Sequence, residues 1–534
     1  DWDVGGTYTD STPCPACSGR RLRPEYLAVT LAGSNVFELS QLTLAELAQL
    51  IAGLQTSRRD LSSSLFTIRQ RLKFLVDVGL SYLHLDRVAG TLSAGEAQRI
   101  RLAGLLGSGL TSLTLLLDEP TRGLHPAEVQ ALLEALKALR DQGNTVIVVE
   151  HDSQVIQAAD HLIDMGPGAG RQGGCIVAQG SPQTVAQTDS CTARWLRGER
   201  RIDIPQRRAP ISWLTITGPR ANNLKGEPVR FPLGVLVGVC GVSGSGKSSL
   251  VMDTLGRALA PRKQTTSVAY EPIDPGEYDS IEGAPARVIQ VDQSRAGMSS
   301  PATYLGLRQP LEALYAQSSE AQALGLGAEQ LSRRCSVCSG QGMLAMDMAF
   351  LPDVHVLCET CRGTGYTAEA WQVRLKGLAL PEIFSLTIDE VYAFFGEIDK
   401  LQRPLQAARE VGLGYLVLRQ PRHTLSGGEA QRLKIASELC KKASLSTLYI
   451  LDEPSIGQHL EDVLRLTHVL RRLVDAGGSV LIVEHHTHML AACDWLVELG
   501  PTGGPGGGYI IASGTPEQVA AGDTPTAPYL REVL

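Results

Sequence analysis

Several things are missing from this 534-residue sequence, and each absence removes a class of protein. It has no run of about eighteen uncharged apolar residues, the length a membrane-crossing helix needs, and its opening stretch DWDVGGTYTD lacks the basic-then-apolar layout of a secretory signal. A soluble, cytoplasmic protein with no membrane partner is the expectation. Positive charge is not in excess: 49 Lys and Arg against 56 Asp and Glu leave −7, with a pI near 5.9, which excludes a generally basic nucleic-acid coat and confines any DNA contact to a local patch. A disulfide framework is also disfavoured, because the eleven cysteines are odd in number and include Cys-x-x-Cys pairs, which speak for metal ligation in a reducing compartment. Methionine is absent from position 1, where Asp1 stands, and the chain is read as processed, trimmed or fragmentary. Apolar residues are not scarce: at 43% of this length they can fill more than one core.

What the sequence does contain is a duplication. TLSAGEAQRIRLA (91 to 103) returns as TLSGGEAQRLKIA (424 to 436), LLLDEPTRGLH as YILDEPSIGQH, TVIVVEH as SVLIVEH, and DMGPGAGRQGG as ELGPTGGPGGG. Asp118 and Asp452, His151 and His485, and Gly166 and Gly500 keep one spacing, so two copies of a module share a register. Between them LRGERRIDIPQRRAPIS (196 to 212) has the polar, basic, proline-bearing composition of a linker or surface loop. Apolar β-branched runs such as TVIVVE and SVLIVE alternate with helix-spaced stretches such as PAEVQALLEALKALRDQG, and the expected fold is α/β with a mostly parallel, doubly wound sheet in each copy.

A complete phosphate loop, GVSGSGKSS, occurs in the second copy alone, between the apolar run VLVGVC and the helix-like SLVMDTL. Gly241, Gly244 and Gly246 allow backbone N–H groups to close around phosphates, with Ser243 and Ser249 in the same loop; Lys247 supplies a point charge, and Ser248 offers a hydroxyl to Mg²⁺. LLLDEP and YILDEP each set an Asp at a strand's end and a Glu after it. Alone such a turn is an ordinary strand exit; paired with a phosphate loop, Asp452 can hold Mg²⁺ through water and Glu453 can polarise the attacking water. His485, at the next strand's exit, suits a contact to the γ-phosphate, as does His151 in the first copy, and Gln293 in VIQVDQS could reach metal and water.

The other strong signal is metal. CSVC (335 to 338) and CETC (358 to 361) give Cys-x2-Cys-x19-Cys-x2-Cys, so Cys335, Cys338, Cys358 and Cys361 suit a closed, structural zinc site. MLAMDMAFLPDVHV between them alternates like a hairpin, and Arg333 and Arg334 beside it are candidates for phosphate contact with DNA, though adjacent arginines are commonly just solvated. Cys14 and Cys17 in CPAC read either as half of a second zinc knuckle or as a pair of unliganded thiols.

L-S-x-G-E followed by Gln and Arg resembles the signature loop of ATP-binding cassette (ABC) ATPases, in which a serine hydroxyl and glycine amides at a helix N-terminus meet the γ-phosphate held by another module. S-x-x-E is also a helix capping box, and a capped N-terminus is itself an anion seat. With GVSGSGKSSL, SSPATYLGL, FLPDVHVLCETCRGTGY, VGLGYL, LYILDEPSIGQH and DWLVELGPTGG, the chain from about Cys14 onward resembles the UvrA family, the damage-sensing subunit of bacterial nucleotide excision repair. The resemblance implies tandem ABC-type cassettes: residues 1–205 as the C-terminal part of the first and 206–534 as the second, with phosphate loop 241–248, zinc module 335–361, signature 425–429 and carboxylate strand 448–453. It implies ATP, Mg²⁺ and Zn²⁺ as cofactors, and damaged double-stranded DNA, a second copy of the chain and a UvrB-like protein as partners. It pairs the phosphate loop, Gln293, Asp452, Glu453 and His485 with Ser93, Ala94 and Gly95, the methyl of Ala94 replacing the usual glycine. It pairs Asp118, Glu119 and His151 with Ser426 and Gly428 of the second signature, and places the phosphate loop of that site upstream of residue 1. LGAEQLSRRC stands where the family has an aromatic-rich segment, QSRAGMSS is a shortened stretch, and no UvrB-docking insertion is visible. The alternative functions are a UvrA-like resistance ATPase that displaces DNA-bound drugs and, against the zinc module, a transporter's ATPase subunit.

Overall fold

A computed structural model describes residues 14–55, 59–89, 92, 94–107, 111–260, 274–292, 300–348, 351–441 and 446–534. Gln293 and Ser93 lie outside these residues, as does the side chain of Ala94. The second copy is built on a six-stranded sheet in the order Arg287–Val291, Thr447–Asp452, Ser479–Val483, Leu236–Gly241, Trp495–Gly500, Tyr509–Gly514, parallel except for its last pair. The apolar runs become central strands because both faces are covered, one by helices and the other by the helix after the phosphate loop and a small antiparallel sheet: Leu236–Gly241 and Ser479–Val483 are buried at every residue. A three-stranded antiparallel sheet, Ser280–Glu282, Ser212–Thr217 and Val229–Leu233, packs through Leu214, Ile216 and Phe231 into the same core as Val237, Ile450 and Leu481.

The first copy repeats these strands in two separate pairs. Thr114–Asp118 runs parallel to Thr145–Val149, and Leu162–Gly166 antiparallel to Cys175–Gly180. In the second copy Leu236–Gly241 joins the equivalent pairs by hydrogen-bonding to both Ser479–Val483 and Trp495–Gly500. Among the described residues no strand does this in the first copy, where Leu116 is 75% and Met165 58% exposed. A helix Pro126–Asp141, held at its start by a capping box between His125 and Glu128, packs Val129, Leu132 and Leu136 into a core with Leu80 and Leu102 of the signature side.

The segment read as a linker is tied down. The Arg207 guanidinium donates to Glu517 at 2.6 Å and to the carbonyls of Ala491 and Cys493, and Arg208 reaches both Asp475 and the buried Asp494. Ile202 is buried in the main core. The stretch after the phosphate loop is helical as expected, wound as a π-helix over Ser249–Gly256 before Arg257–Leu259 continues it. No helix among the described residues is long and apolar enough to cross a membrane.

Candidate nucleotide site and zinc module

The phosphate loop leaves the end of the buried strand Leu236–Gly241, where Gly241 has φ +130° and a Cβ would stand 1.9 Å from the Leu499 carbonyl oxygen, so only glycine fits. Lys247 is 5% exposed and its ammonium donates to the carbonyls of Gly241 and Val242 at 2.9 and 2.8 Å, closing the loop over itself. Burial holds its pKa below the usual lysine value, opposed by the charges of Glu453 and Glu128. Ser248 is exposed, and Ser249 accepts from the Asn222 amide at 2.8 Å.

Asp452 and Glu453 end the parallel strand Thr447–Asp452, two strands away from the loop's strand, so both carboxylates come to the sheet's C-terminal edge beside the loop. Asp452 Oδ1 is buried without a hydrogen-bond partner among the described residues, an acceptor suited to a hydrated divalent cation. Burial, then Asp253 and Asp292, push its carboxyl up to about 6; burial, then Asp452 and Glu484, push Glu453 up to about 8. His485 Nε2 lies 3.7 Å from Glu453 Oε1, and burial with the nearby Lys247 charge keeps the imidazole neutral, well below its ordinary pKa. Glu453 has φ +42° and its counterpart Glu119 has φ +45°, a backbone form that side-chain-bearing residues rarely adopt, repeated at the same position in both copies.

The raised Glu453 pKa has a measurable consequence. Between the ordinary carboxylate range and about 8, the folded protein holds a proton that the unfolded chain has released. Stability from this group therefore falls as pH rises through that window and is level above it. Nucleotide-free Glu453→Gln, neutral throughout, is expected to melt a few degrees above the wild type near pH 8.5, with the gap closing toward pH 5; calorimetry showing a pH-independent gap would contradict this.

The two copies meet across this site. The Ser243 hydroxyl lies 2.9 Å from the Gly123 carbonyl oxygen, on the first copy's turn after its own carboxylate strand, and 2.5 Å from the carboxylate of Glu128, in the first turn of the helix that follows. A Cβ at Gly123 would lie 3.9 Å from both Glu453 oxygens, and one at Gly457 would lie 2.6 Å from Glu119 Oε1, so each copy's turn faces the other's glutamate. His125 Nε2 is 3.0 Å from Thr526 Oγ1, and its ring centroid is 6.2 Å from that of His485. The signature helix Ala94–Leu106 starts at this junction, with Gly95 packed so closely that a Cβ would be 2.7 Å from the Arg122 carbonyl oxygen. In the second signature Ser426 caps Gly427–Cys440 with Glu429 as its capping-box partner, and a Cβ on Gly428 would meet the Ile456 carbonyl at 3.4 Å. Asp118 is exposed and Glu119 half-buried at the open edge of the first copy.

Sequence reasoning passed over four residues that hold this geometry. The Gln431 amide donates to the Asp452 carbonyl and Gln98 to the Asp118 carbonyl, each at 2.8 Å, fastening each signature helix to its carboxylate strand. Glu484 accepts from the backbone N–H of Ser455, His485 and His486, and Glu150 likewise from Thr121, His151 and Asp152. The signal was present, since all four recur within duplicated stretches; their role depends on segments about twenty to thirty residues apart.

The four cysteine sulfurs lie within 4.8 Å of one another and are buried. Cys335 and Cys358 are 3.9 Å apart and Cys338 and Cys361 3.6 Å, close to the roughly 3.8 Å that a tetrahedral zinc thiolate shell sets. Backbone N–H groups of Gly342 and Gly365 point at Cys338 and Cys361, and each knuckle's first cysteine N–H binds a carbonyl of the other knuckle, so the cage suits thiolates. The hairpin is formed by Met343–Met348 and Leu351–Leu357. Arg333 and Arg334 are exposed beside the cage. Cys14 and Cys17 take the same turn as the two knuckles: Ser18 and Gly19 have φ +50° and +80°, against +51° and +80° at Ser339 and Gly340.

A family model described as ABC transporter matches residues 224–456. UvrABC system protein A of Thermus thermophilus is 46% identical over 98% of this chain and 56% of its own length, and that of Methanothermobacter thermautotrophicus 45% over 99% and 56%. The crystal structure of UvrA2 from Deinococcus radiodurans agrees with a TM-score of 0.86 at 42% identity, over 98% of this chain and 66% of that one. The chain spans about half the length of the curated relatives it matches. Opposed modules, each with signature helix, carboxylate strand and strand-end histidine, define a protein of the ABC ATPase class. Within that class, the chain belongs to the UvrA family.

Proposed function

We propose that this chain is the DNA-binding ATPase of nucleotide excision repair, with ATP bound between residues 241–248, Asp452, Glu453 and His485 of one cassette and Ser93 and Gly95 of the other. The observation that supports this reading is the approach of the first copy's Gly123 turn to Ser243 and Glu453, with Arg122 of that turn packed on Gly95 at the start of the first signature helix. Lys247 would balance phosphate charge, Glu453 would orient the attacking water and accept its proton, and neutral His485 would donate to the γ-phosphate. Mg²⁺, held by Ser248 and by Asp452, would supply electrostatic neutralisation of the phosphates. The boundary near residue 205, Gln293 at the metal and the second signature, Ser426 and Gly428, as partner of an Asp118–Glu119–His151 site belong to the same proposal. So do a cytoplasmic location, dimerisation, loading of a UvrB-like partner and DNA contact near Arg333 and Arg334.

The test is phosphate release by the purified chain, alone and with duplexes that carry or lack a bulky lesion. Turnover that responds to DNA supports the reading, and greater response to the lesion supports damage sensing; turnover indifferent to all DNA would overturn the repair assignment. Zinc is expected to be structural. Cys335→Ser should release one zinc equivalent and weaken DNA binding more than ATP binding, by metal analysis and titration. A wild-type protein free of zinc would refute that.

A further inference from the structure

The glycine-rich stretch after the strand Trp495–Gly500 has no part in the site as described, yet it forms a floor under the phosphate loop. Gly504 N–H donates to the Gly244 carbonyl and Gly508 N–H to the Ser245 carbonyl, both at 3.0 Å, and the Asn223 amide bridges the carbonyls of Gly244 and Gly504 at 2.9 Å each. Onto this double layer of glycine comes one aromatic ring from the first copy, Tyr82. A Cβ added to Gly244 would stand 2.8 Å from two of its ring carbons, one on Gly503 3.0 Å from Cγ, and one on Gly504 3.2 Å from the tyrosine Cβ. The Tyr82 hydroxyl donates to Glu96 Oε1 at 2.7 Å, and Glu96 is a buried residue in the first turn of the signature helix.

The duplicated copy repeats the arrangement. Tyr415 donates to Glu429 Oε1 at 2.7 Å and its Cβ would lie 2.8 Å from a Cβ on Gly170, the counterpart of Gly504. There the other oxygen of the same carboxylate accepts from Ser426 N–H at 2.7 Å, while Ser426 Oγ accepts from Glu429 N–H at 3.1 Å. One glutamate therefore holds both the signature serine's backbone and the tyrosine that touches the opposite cassette.

We propose that Tyr82 is a positioning residue of the ATPase, registering the first cassette's signature helix against Gly244 of the second cassette's phosphate loop while touching neither nucleotide nor reacting atoms. The inference rests on the ATPase reading above. Gly244 has φ +71°, and the ring packed on it leaves that backbone little room to move. The bond to Glu96 fixes the ring relative to the helix N-terminus that is to meet the γ-phosphate. A tyrosine with a purely structural role would alter stability without separating kcat from nucleotide affinity.

The experiment is steady-state turnover and fluorescent-nucleotide binding on the full chain, with zinc content and melting midpoint as folding controls. Tyr82→Phe keeps the ring on Gly244 and should lower kcat about tenfold while ATP affinity stays within about twofold. Tyr82→Ala should lower kcat further and also weaken binding. Glu96→Gln, still able to accept the hydroxyl, should stay within about threefold of wild type. Tyr82→Phe combined with Glu96→Ala should be no worse than Glu96→Ala alone. Active wild type with an unchanged Tyr82→Phe, or single effects that multiply in the double variant, would overturn this inference alone; a wild type that neither binds nor hydrolyses ATP would overturn the ATPase reading and this inference with it.

Discussion

ATP turnover by the Lys247→Ala chain is expected to fall by at least about 10²-fold while its zinc content stays that of the wild type. Two effects combine. The ammonium is the positive group at the loop, and without it the carbonyls of Gly241 and Val242 lose their donor. The same charge also pulls the carboxyls of Asp452 and Glu453 down against burial, so its removal pushes both higher and leaves less carboxylate to accept the water's proton near neutrality. Cys335, Cys338, Cys358 and Cys361 share no ligand with the loop, which is why the metal should be unaffected. Phosphate release and metal analysis on one preparation read both halves. Turnover near wild type would end the assignment of residues 241–248 as the phosphate site.

Glu453→Gln should nearly stop hydrolysis, by about 10²- to 10⁴-fold, while ATP stays bound, and Glu119→Gln should change little. Both glutamates sit at a positive φ after the equivalent strand of their own copy, and each faces the other copy's turn. They differ in what surrounds them. Glu453 has Lys247, His485 and Asp452 beside it, whereas Asp118 is exposed and no phosphate loop adjoins Glu119 among the described residues. Nucleotide titration of this 534-residue chain should saturate at one ATP, and Ala94→Gly should tighten binding if the methyl crowds the phosphate. Two bound ATP, or equal damage from the two glutamate substitutions, would show that the pairing of LSAGE with the phosphate loop is wrong.

Much of the site could be read before any fold was known because it is local. Gly241, Gly244 and Gly246 carry positive φ values within one loop, and the four cysteines lie on two short turns whose shape follows from Ser339–Gly340 and Arg362–Gly363. The positive φ of Glu119 and Glu453 was not legible, since glutamate has no preference for it and the surrounding strands impose it. The linker shows the same limit: its arginines and proline suggested a solvated loop, but Arg208 is drawn to Asp494, a buried acid 286 residues away.

The sequence by itself determined the duplication, its register, the single phosphate loop and the four-cysteine cluster suited to a metal, all of which depend on residue types at short spacings. Only the tertiary structure decided which surfaces of the two copies face each other. Ser243 meets Gly123 across 120 residues, Tyr82 meets Gly244, and Glu119 meets Gly457, and none of these pairs has a periodicity or a spacing that could announce it. The pKa values belong to the same category: Glu453 is ordinary as a letter and is pushed up to about 8 because folding removes water from it and from the adjacent Asp452 and brings Glu484 nearby.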